Sequence, residues 1–168
     1  MQRRYVLAYA AWTLALAMPK AGAEQAGNAD AEAALRQAVS DYLASWNSHE
    51  IASWARWLTE DVEWIDPSDP SPKKSKATVT TFASYYVRTY DLDLRIKKLL
   101  LASNGKSATV ALEGKWLELP QRDGKYSREW ARDLLVSRWR YEGDGWRLLY
   151  MNNHAGSSAE IAKAEGLN

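Results

Sequence analysis

The sequence contains no cysteine, only two histidines and a single phenylalanine among its 168 residues. The absence of cysteine excludes disulfides and a lipoprotein anchor, so the fold must be held by its core alone. His49 and His154 are far apart in the chain and are a poor basis for a metal site, so we expect neither a metal nor another cofactor. A Ser/His/Asp order, a glycine-rich phosphate loop and a nucleophile elbow are also missing.

An excess of positive charge is lacking as well, since the formal net charge is +1. Removing residues 1–23 would delete Arg3, Arg4 and Lys20 and no acid, which takes this charge to −2. A nearly neutral chain without a basic stripe is not typical of a nucleic-acid-binding protein. We therefore expect no nucleic-acid partner.

The N-terminal segment has the order of a secretory signal. Arg3 and Arg4 precede an apolar run over residues 5–18, and Ala21-Gly22-Ala23 follows. We predict a signal peptide over 1–23 and a mature domain over 24–168 in the periplasm or outside the cell. An uncleaved anchor and an ordinary helix are the alternatives, although the run is short for a permanent span.

Three segments have helical periodicity. The first, over about 29–47, carries Tyr42 and Trp46 on its apolar stripe, and a short second helix covers about 50–58. The third covers about 77–90, with Phe82 and Tyr86 on one side.

Strand patterns surround and follow these helices. "TEDVEWID" predicts a short strand ending at Asp66, and "PSDPSPKKSK" is a loop by composition, with Lys73 on a solvated face. After the third helix, turns at Asn104-Gly105, "QRDG" and "GDG" separate four antiparallel strands. The tail after His154 is weakly patterned, and we expect it to lie on the surface or fray. The order predicts one α+β domain with a curved antiparallel sheet wrapped around the first helix.

The stretch "YLASWNSHEIASWARWLTEDVEWIDP" and the late stretch "GDGWRLLYMNNH" resemble the nuclear transport factor 2-like superfamily, and within it the SnoaL-like proteins. The resemblance extends over nearly the whole mature chain in element order. It implies a cone-shaped domain with a cavity between sheet and helices, often in a homodimer.

The stretch from Tyr42 to Asp66 is similar to the corresponding part of ketosteroid isomerases. That similarity implies that Tyr42 donates a hydrogen bond to an enolate oxygen and that Asp66 shuttles the proton. The isomerases' third group, a protonated acid, falls at Leu134, which cannot donate a hydrogen bond, with Asp133 beside it.

Asp66 also has a physical case of its own. Val62, Trp64 and Asp66 share one strand face, so Trp64 would place a low-dielectric wall beside the carboxylate. The alternative is that Asp66 caps the turn before Pro67. Tyr42 is likewise either a hydrogen-bond donor to a ligand or a core tyrosine bonded to backbone or water.

The last strand predicts a polar end to the same cavity, because alternation places Trp146, Leu148, Tyr150, Asn152 and His154 on one face. Which of Asp133, Asn152 and His154 completes a site stays open.

Two functions follow. One is a cofactor-independent proton-transfer enzyme (an isomerase, dehydratase or cyclase) with Asp66 and Tyr42 as catalytic residues. The other is a non-catalytic domain for ligand binding or association. In both, the expected partners are a small apolar ligand and a second copy of the chain, paired through the outer sheet face. The residues expected to bind the ligand are Trp46, Trp64, Phe82, Tyr86, Trp116, Tyr150, Asn152 and His154.

Overall fold

The computed structural model describes residues 21–67, 69–119 and 128–167. The predicted signal peptide lies mostly outside these residues. Within them the elements run in the order α1 Ala21–Asn47, α2 Ile51–Ala55, β1 Leu58–Asp66, β2 Asp69–Lys74, α3 Lys76–Thr89, β3 Tyr90–Leu101, β4 Ser107–Glu118, β5 Glu129–Tyr141, β6 Trp146–Asn152 and α4 Ala155–Ala164.

The strands form one sheet in the order β2-β1-β6-β5-β4-β3. All pairs are antiparallel except β1 with β6. The predicted helices, the strand ending at Asp66, the order of the four-stranded meander and the α+β class are confirmed. The predicted turn at "QRDG" lies outside the described residues. In the described part of the chain, no helix combines the length and apolarity needed to cross a bilayer.

The sheet curves around α1, whose C-terminal end is fixed to β3. The Trp46 indole N–H donates to Tyr90 O at 2.8 Å, and the Asn47 amide exchanges two hydrogen bonds with the Leu92 backbone. A register shift at Gly114 of β4 adds local curvature, as bulges do. Gly114 has φ +148°, and a Cβ there would lie 2.0 Å from Asp93 O, so only glycine fits.

One expectation about loops is wrong, and of the two alternatives expected for the tail only fraying is wrong. The segment predicted as a loop after Asp66 contains β2, with Pro70 and Pro72 inside it. Proline is tolerated there because β2 is an edge strand bonded only to β1. The tail after His154 forms α4 instead of fraying, and it buries Ala162 and Leu167. Small residues make up most of its buried face, which is why the hydrophobic pattern is weak.

The predicted common face of the last strand is also wrong beyond Leu148. On β5, Trp139 pairs with Leu148 but Arg138 pairs with Tyr150, so Leu149 is bulged out of the ladder. A one-residue insertion exchanges the two faces of everything that follows. Trp146 and Leu148 face the core around α1, whereas Tyr150 and Asn152 face the opposite side.

That opposite, outer side is partly covered by the chain itself. Ala111, Leu134 and Val136 form a second apolar cluster with Ala162 of α4 and with Leu167, which follows this helix. The adjoining strands carry ion pairs, among them Arg95–Glu113 and Lys115–Glu129. The homodimer through the outer face stays a prediction, and the surface that remains for it beside α4 is rich in charge.

Candidate ligand-binding site

Asp66 closes the inner face of β1. Val62, Trp64 and Asp66 are all buried, with exposed fractions of 0%, 1% and 4%, as strand alternation predicts. Asp66 is paired with Asp69 across the tight connection to β2. Asp66 therefore lies at the turn that ends the strand, and its carboxyl group is also buried inside the protein.

Other tryptophan rings pack against Trp64 on the inner face of the sheet. Trp46 of α1 stacks on Trp64 with ring centroids 6.0 Å apart, and Trp54 of α2 meets both rings edge-on at 5.4 and 6.1 Å. Trp116 of β4 meets Trp46 edge-on at 5.4 Å. These contacts join helix α1 to both halves of the sheet and surround the inner face with apolar, polarisable surface.

Tyr42 lies deeper along α1 and is fully buried. Its ring meets Trp139 edge-on at 5.6 Å, and its hydroxyl makes no hydrogen bond to any described residue, Asp66 included. Burial raises the pKa of Tyr42 well above its usual value, and the nearby Trp54 indole N–H, which does not reach hydrogen-bond geometry, offsets part of this rise.

Asn153 is a site residue that the sequence analysis missed. Its backbone N–H donates to Ile65 O at 2.9 Å, which extends the parallel pairing of β6 with β1 by one residue and brings Asn153 beside Asp66. Alternation puts it on the face opposite Asn152, the inner one. The side chain is 1% exposed, and neither amide atom finds a hydrogen-bond partner among the described residues. The bulge at Leu149 changes the face on which Asn153 lies, so this placement could not be predicted from the sequence.

Lys73 was expected on a solvated loop and is instead part of β2. It is the cross-strand neighbour of Trp64, so the two side chains share the inner face. Its ammonium group pairs with Asp69 and lies 5.3 Å from the centre of the Phe82 ring. This hydrogen bond from Lys73 lowers the pKa of Asp69 to about 2.

Aromatic side chains of α3 continue the wall toward the surface. The Tyr86 ring lies 5.5 Å from Phe82, 6.2 Å from Trp116 and 6.2 Å from Tyr90. Phe82, Tyr86 and Tyr90 are half-buried. The structure therefore brings the predicted wall residues together in one aromatic cluster that reaches from the core to the rim.

The late-strand candidates lie elsewhere. Tyr150 is under the Arg138 guanidinium at 5.2 Å and accepts a hydrogen bond from the Asn152 amide at 3.1 Å. His154 caps α4 by accepting the Ser157 N–H at 3.3 Å. Leu134 faces α4, and the side chain of Asp133 is outside the described residues.

His49 has a structural role that explains its position at the helix break. It adopts φ +61° and its ring bonds Val87 O at 2.6 Å and Asp91 at 3.1 Å. No three histidine or acidic side chains in the described ranges gather closely enough to hold a metal ion.

The architecture recurs in solved structures. A nuclear transport factor 2-like protein with a cystatin-like fold from Novosphingobium aromaticivorans superposes with a TM-score of 0.63 over 87% of this chain and 97% of that one, at 12% identity. A proposed dehydratase from the nuclear transport factor 2-like family of Streptomyces avermitilis superposes with a TM-score of 0.62 over 74% of this chain and 95% of that one, at 13% identity. For a ketosteroid isomerase-like protein from Erwinia carotovora atroseptica, the TM-score is 0.54 over 71% of this chain and 92% of that one, at 19% identity.

Comparison by sequence gives less, since neither a protein-family profile nor a curated protein matches the chain. At identities this low, the structural neighbours define an architecture and not an activity. The agreement covers the helices, the strand order and the curvature of the sheet. The chain has the fold of the nuclear transport factor 2-like proteins.

Proposed function

We propose that this domain binds a small, mainly apolar molecule carrying an oxygen atom, held between the inner face of the sheet and helix α3. The observation that carries the proposal is a set of buried polar groups on an otherwise apolar face. The Tyr42 hydroxyl, the Asn153 amide and the indole N–H groups of Trp54 and Trp64 have no hydrogen-bond partner among the described residues.

Such groups are costly to leave unpaired. A buried donor or acceptor without a partner costs about 1–3 kcal/mol, and native proteins keep few of them. Four such unpaired groups lie on neighbouring elements of one core. This favours a function in which a bound ligand supplies their hydrogen-bond partners. Because N–H and O–H donors outnumber acceptors among them, the complementary ligand carries at least one carbonyl or hydroxyl oxygen.

The surroundings supply the apolar part of the affinity. Ring contacts join Trp46, Trp64, Trp116, Phe82 and Tyr86 into one aromatic wall beside the proposed site. Ligand sites in proteins are lined mainly by such side chains, and a few polar groups fix orientation. The dehydratase and isomerase-like descriptions of the structural neighbours are compatible with small organic ligands in this fold.

Calorimetric titration with two matched probes tests the proposal. 2-Acetylnaphthalene carries a ketone oxygen, and 2-isopropylnaphthalene has nearly the same shape without it. We expect the ketone to bind about tenfold more tightly, the effect of one buried hydrogen bond. Tyr42→Phe should reduce this preference, whereas Tyr85→Phe, on a ring that is 62% exposed, should not. Absence of saturable binding by both probes would contradict the proposal.

A second candidate, proton transfer, is favoured by one observation. Asp66 is a buried carboxyl group on the inner face beside Trp64, at the position where the resemblance to ketosteroid isomerases implies a base. A base near an apolar wall can remove a proton next to a carbonyl.

The elementary step can be measured directly. NMR should show protein-dependent exchange of deuterium into the methyl group of 2-acetylnaphthalene in D2O. Asp66→Asn should abolish this exchange and leave binding intact, while Glu60→Gln, on an exposed carboxylate, should leave both unchanged. Equal exchange by the wild-type protein and Asp66→Asn would refute this role.

Export is part of the proposal as well. The order of charges, apolar run and small residues over 1–23 supports it. N-terminal sequencing of exported protein should begin near Glu24, and material beginning at Met1 would refute cleavage.

A further inference from the structure

Asn153 differs from the other unpaired groups because it has two kinds of polar atom to satisfy. Its Oδ1 is an acceptor and its Nδ2 is a donor, and both are buried without a partner in the described part of the chain. A carboxamide presents these two atoms along one edge, so its full complement is a ligand edge with a donor beside an acceptor. A ketone would satisfy Nδ2 and leave Oδ1 unpaired.

The carboxyl group of Asp66, beside Asn153, limits the kind of ligand edge that can bind. Asp66 is adjacent to Asn153 on the paired strand, at the roughly 4.8 Å spacing of strands. An ionised carboxylic acid in the ligand would have to leave water for a buried position beside this carboxyl group, where the Asn153 amide offers it only one N–H edge, and that is unfavourable. A neutral edge avoids this desolvation cost.

We propose, building on the binding function above, that Asn153 makes the site specific for ligands with a neutral cis-amide edge, such as a lactam or a cyclic imide. The ligand N–H donates to Asn153 Oδ1, and its carbonyl oxygen accepts from Nδ2. The fused or aromatic remainder of the ligand packs on Trp64 and the rings of α3. Asn153 thereby determines specificity, and no covalent step is involved.

Three bicyclic probes of similar size separate this proposal from the general one. Quinolin-2(1H)-one has the cis-amide edge, N-methylquinolin-2-one keeps only the acceptor, and naphthalene has neither. Calorimetry should show the lactam binding at least about tenfold more tightly than its N-methyl analogue, because a polar site rejects a ligand that leaves its groups unpaired.

The variants Asn153→Leu and Asn153→Ala supply the control. Leu keeps the branched shape without polar atoms, and Ala leaves room in case Leu does not fit. In either variant the lactam preference should fall below about twofold, and saturable naphthalene binding shows that the site is intact. Tyr85→Phe, on an exposed ring, should keep the wild-type preference.

Each outcome has one meaning. Wild-type protein that binds naphthalene and does not distinguish the two quinolinones overturns the role of Asn153 and leaves the binding function standing. A lactam preference that persists in both variants also overturns it. If none of the three probes binds, the binding function itself fails.

Discussion

The most informative single change is Tyr42→Phe, because its effect on stability has an unusual expected sign. The hydroxyl is buried and has no partner among the described residues, so its removal relieves a desolvation cost of about 1–3 kcal/mol. The ring keeps its edge-on contact with Trp139, and the lost oxygen leaves a void costing only about 0.3 kcal/mol. In the absence of ligand, we expect the free energy of unfolding to rise by about 1–2 kcal/mol.

Ser137→Ala, at a second buried hydroxyl that contacts Trp139, is the matched comparison. The Ser137 hydroxyl is equally buried, but it accepts the Trp139 indole N–H at 3.0 Å and donates to Val110 O at 3.2 Å. Its removal leaves both groups unpaired and should cost about 2 kcal/mol. Urea unfolding followed by tryptophan fluorescence measures both variants. A loss of 1 kcal/mol or more in Tyr42→Phe would show that the hydroxyl is satisfied by the folded chain and would remove Tyr42 from the site.

Three further predictions concern the scaffold. Gly114→Ala should destabilise the fold by about 3 kcal/mol or more, because the new Cβ would overlap Asp93 O. Gly27→Ala should stabilise it by about 0.5–1 kcal/mol, because this position in α1 has open space around it. Thermal unfolding measures both effects. The bidentate hydrogen bond from Arg140 lowers the pKa of Asp61 to about 2, so its contribution to stability is present above about pH 4 and is lost as the pH falls toward 2. NMR titration of Arg140→Gln should return this pKa to about 3.9. Deleting 155–168 should uncover the outer apolar cluster and cause self-association, and light scattering that shows one unchanged species at tens of micromolar would contradict this.

Strong periodicity made much of the fold predictable. The apolar stripe of α1, the alternation of β1 and the turn at Asn104-Gly105 each depend on local sequence, and the structure has all three. The two-residue repeat predicted that Trp64 and Asp66 share a face, and the structure shows that this face is the inner one. Resemblance supplied the curvature of the sheet, which no local pattern specifies.

The errors arose where tertiary context decides the outcome. The prolines in β2 led us to predict a loop, although an edge strand tolerates proline. Because this segment is a strand, Lys73 lies on the inner face of the sheet and not on a solvated loop. The bulge at Leu149 leaves no signature in an apolar strand, so the expected face of Tyr150 and Asn152 was inverted. The same bulge brings Asn153 beside Asp66, a placement visible only once the partner strand is known.

The position of a bound probe shows whether a small molecule binds on the inner face of the sheet. Nuclear Overhauser effects between quinolin-2(1H)-one and the labelled protein would locate it. If the probe binds there, we expect contacts from it to the Trp64 indole and the Asn153 side-chain amide protons. A competing location is the groove of about 610 Å³ between α1 and the β3–β4 turn, lined by Asn28 and Tyr141. Contacts confined to that groove would contradict the claim.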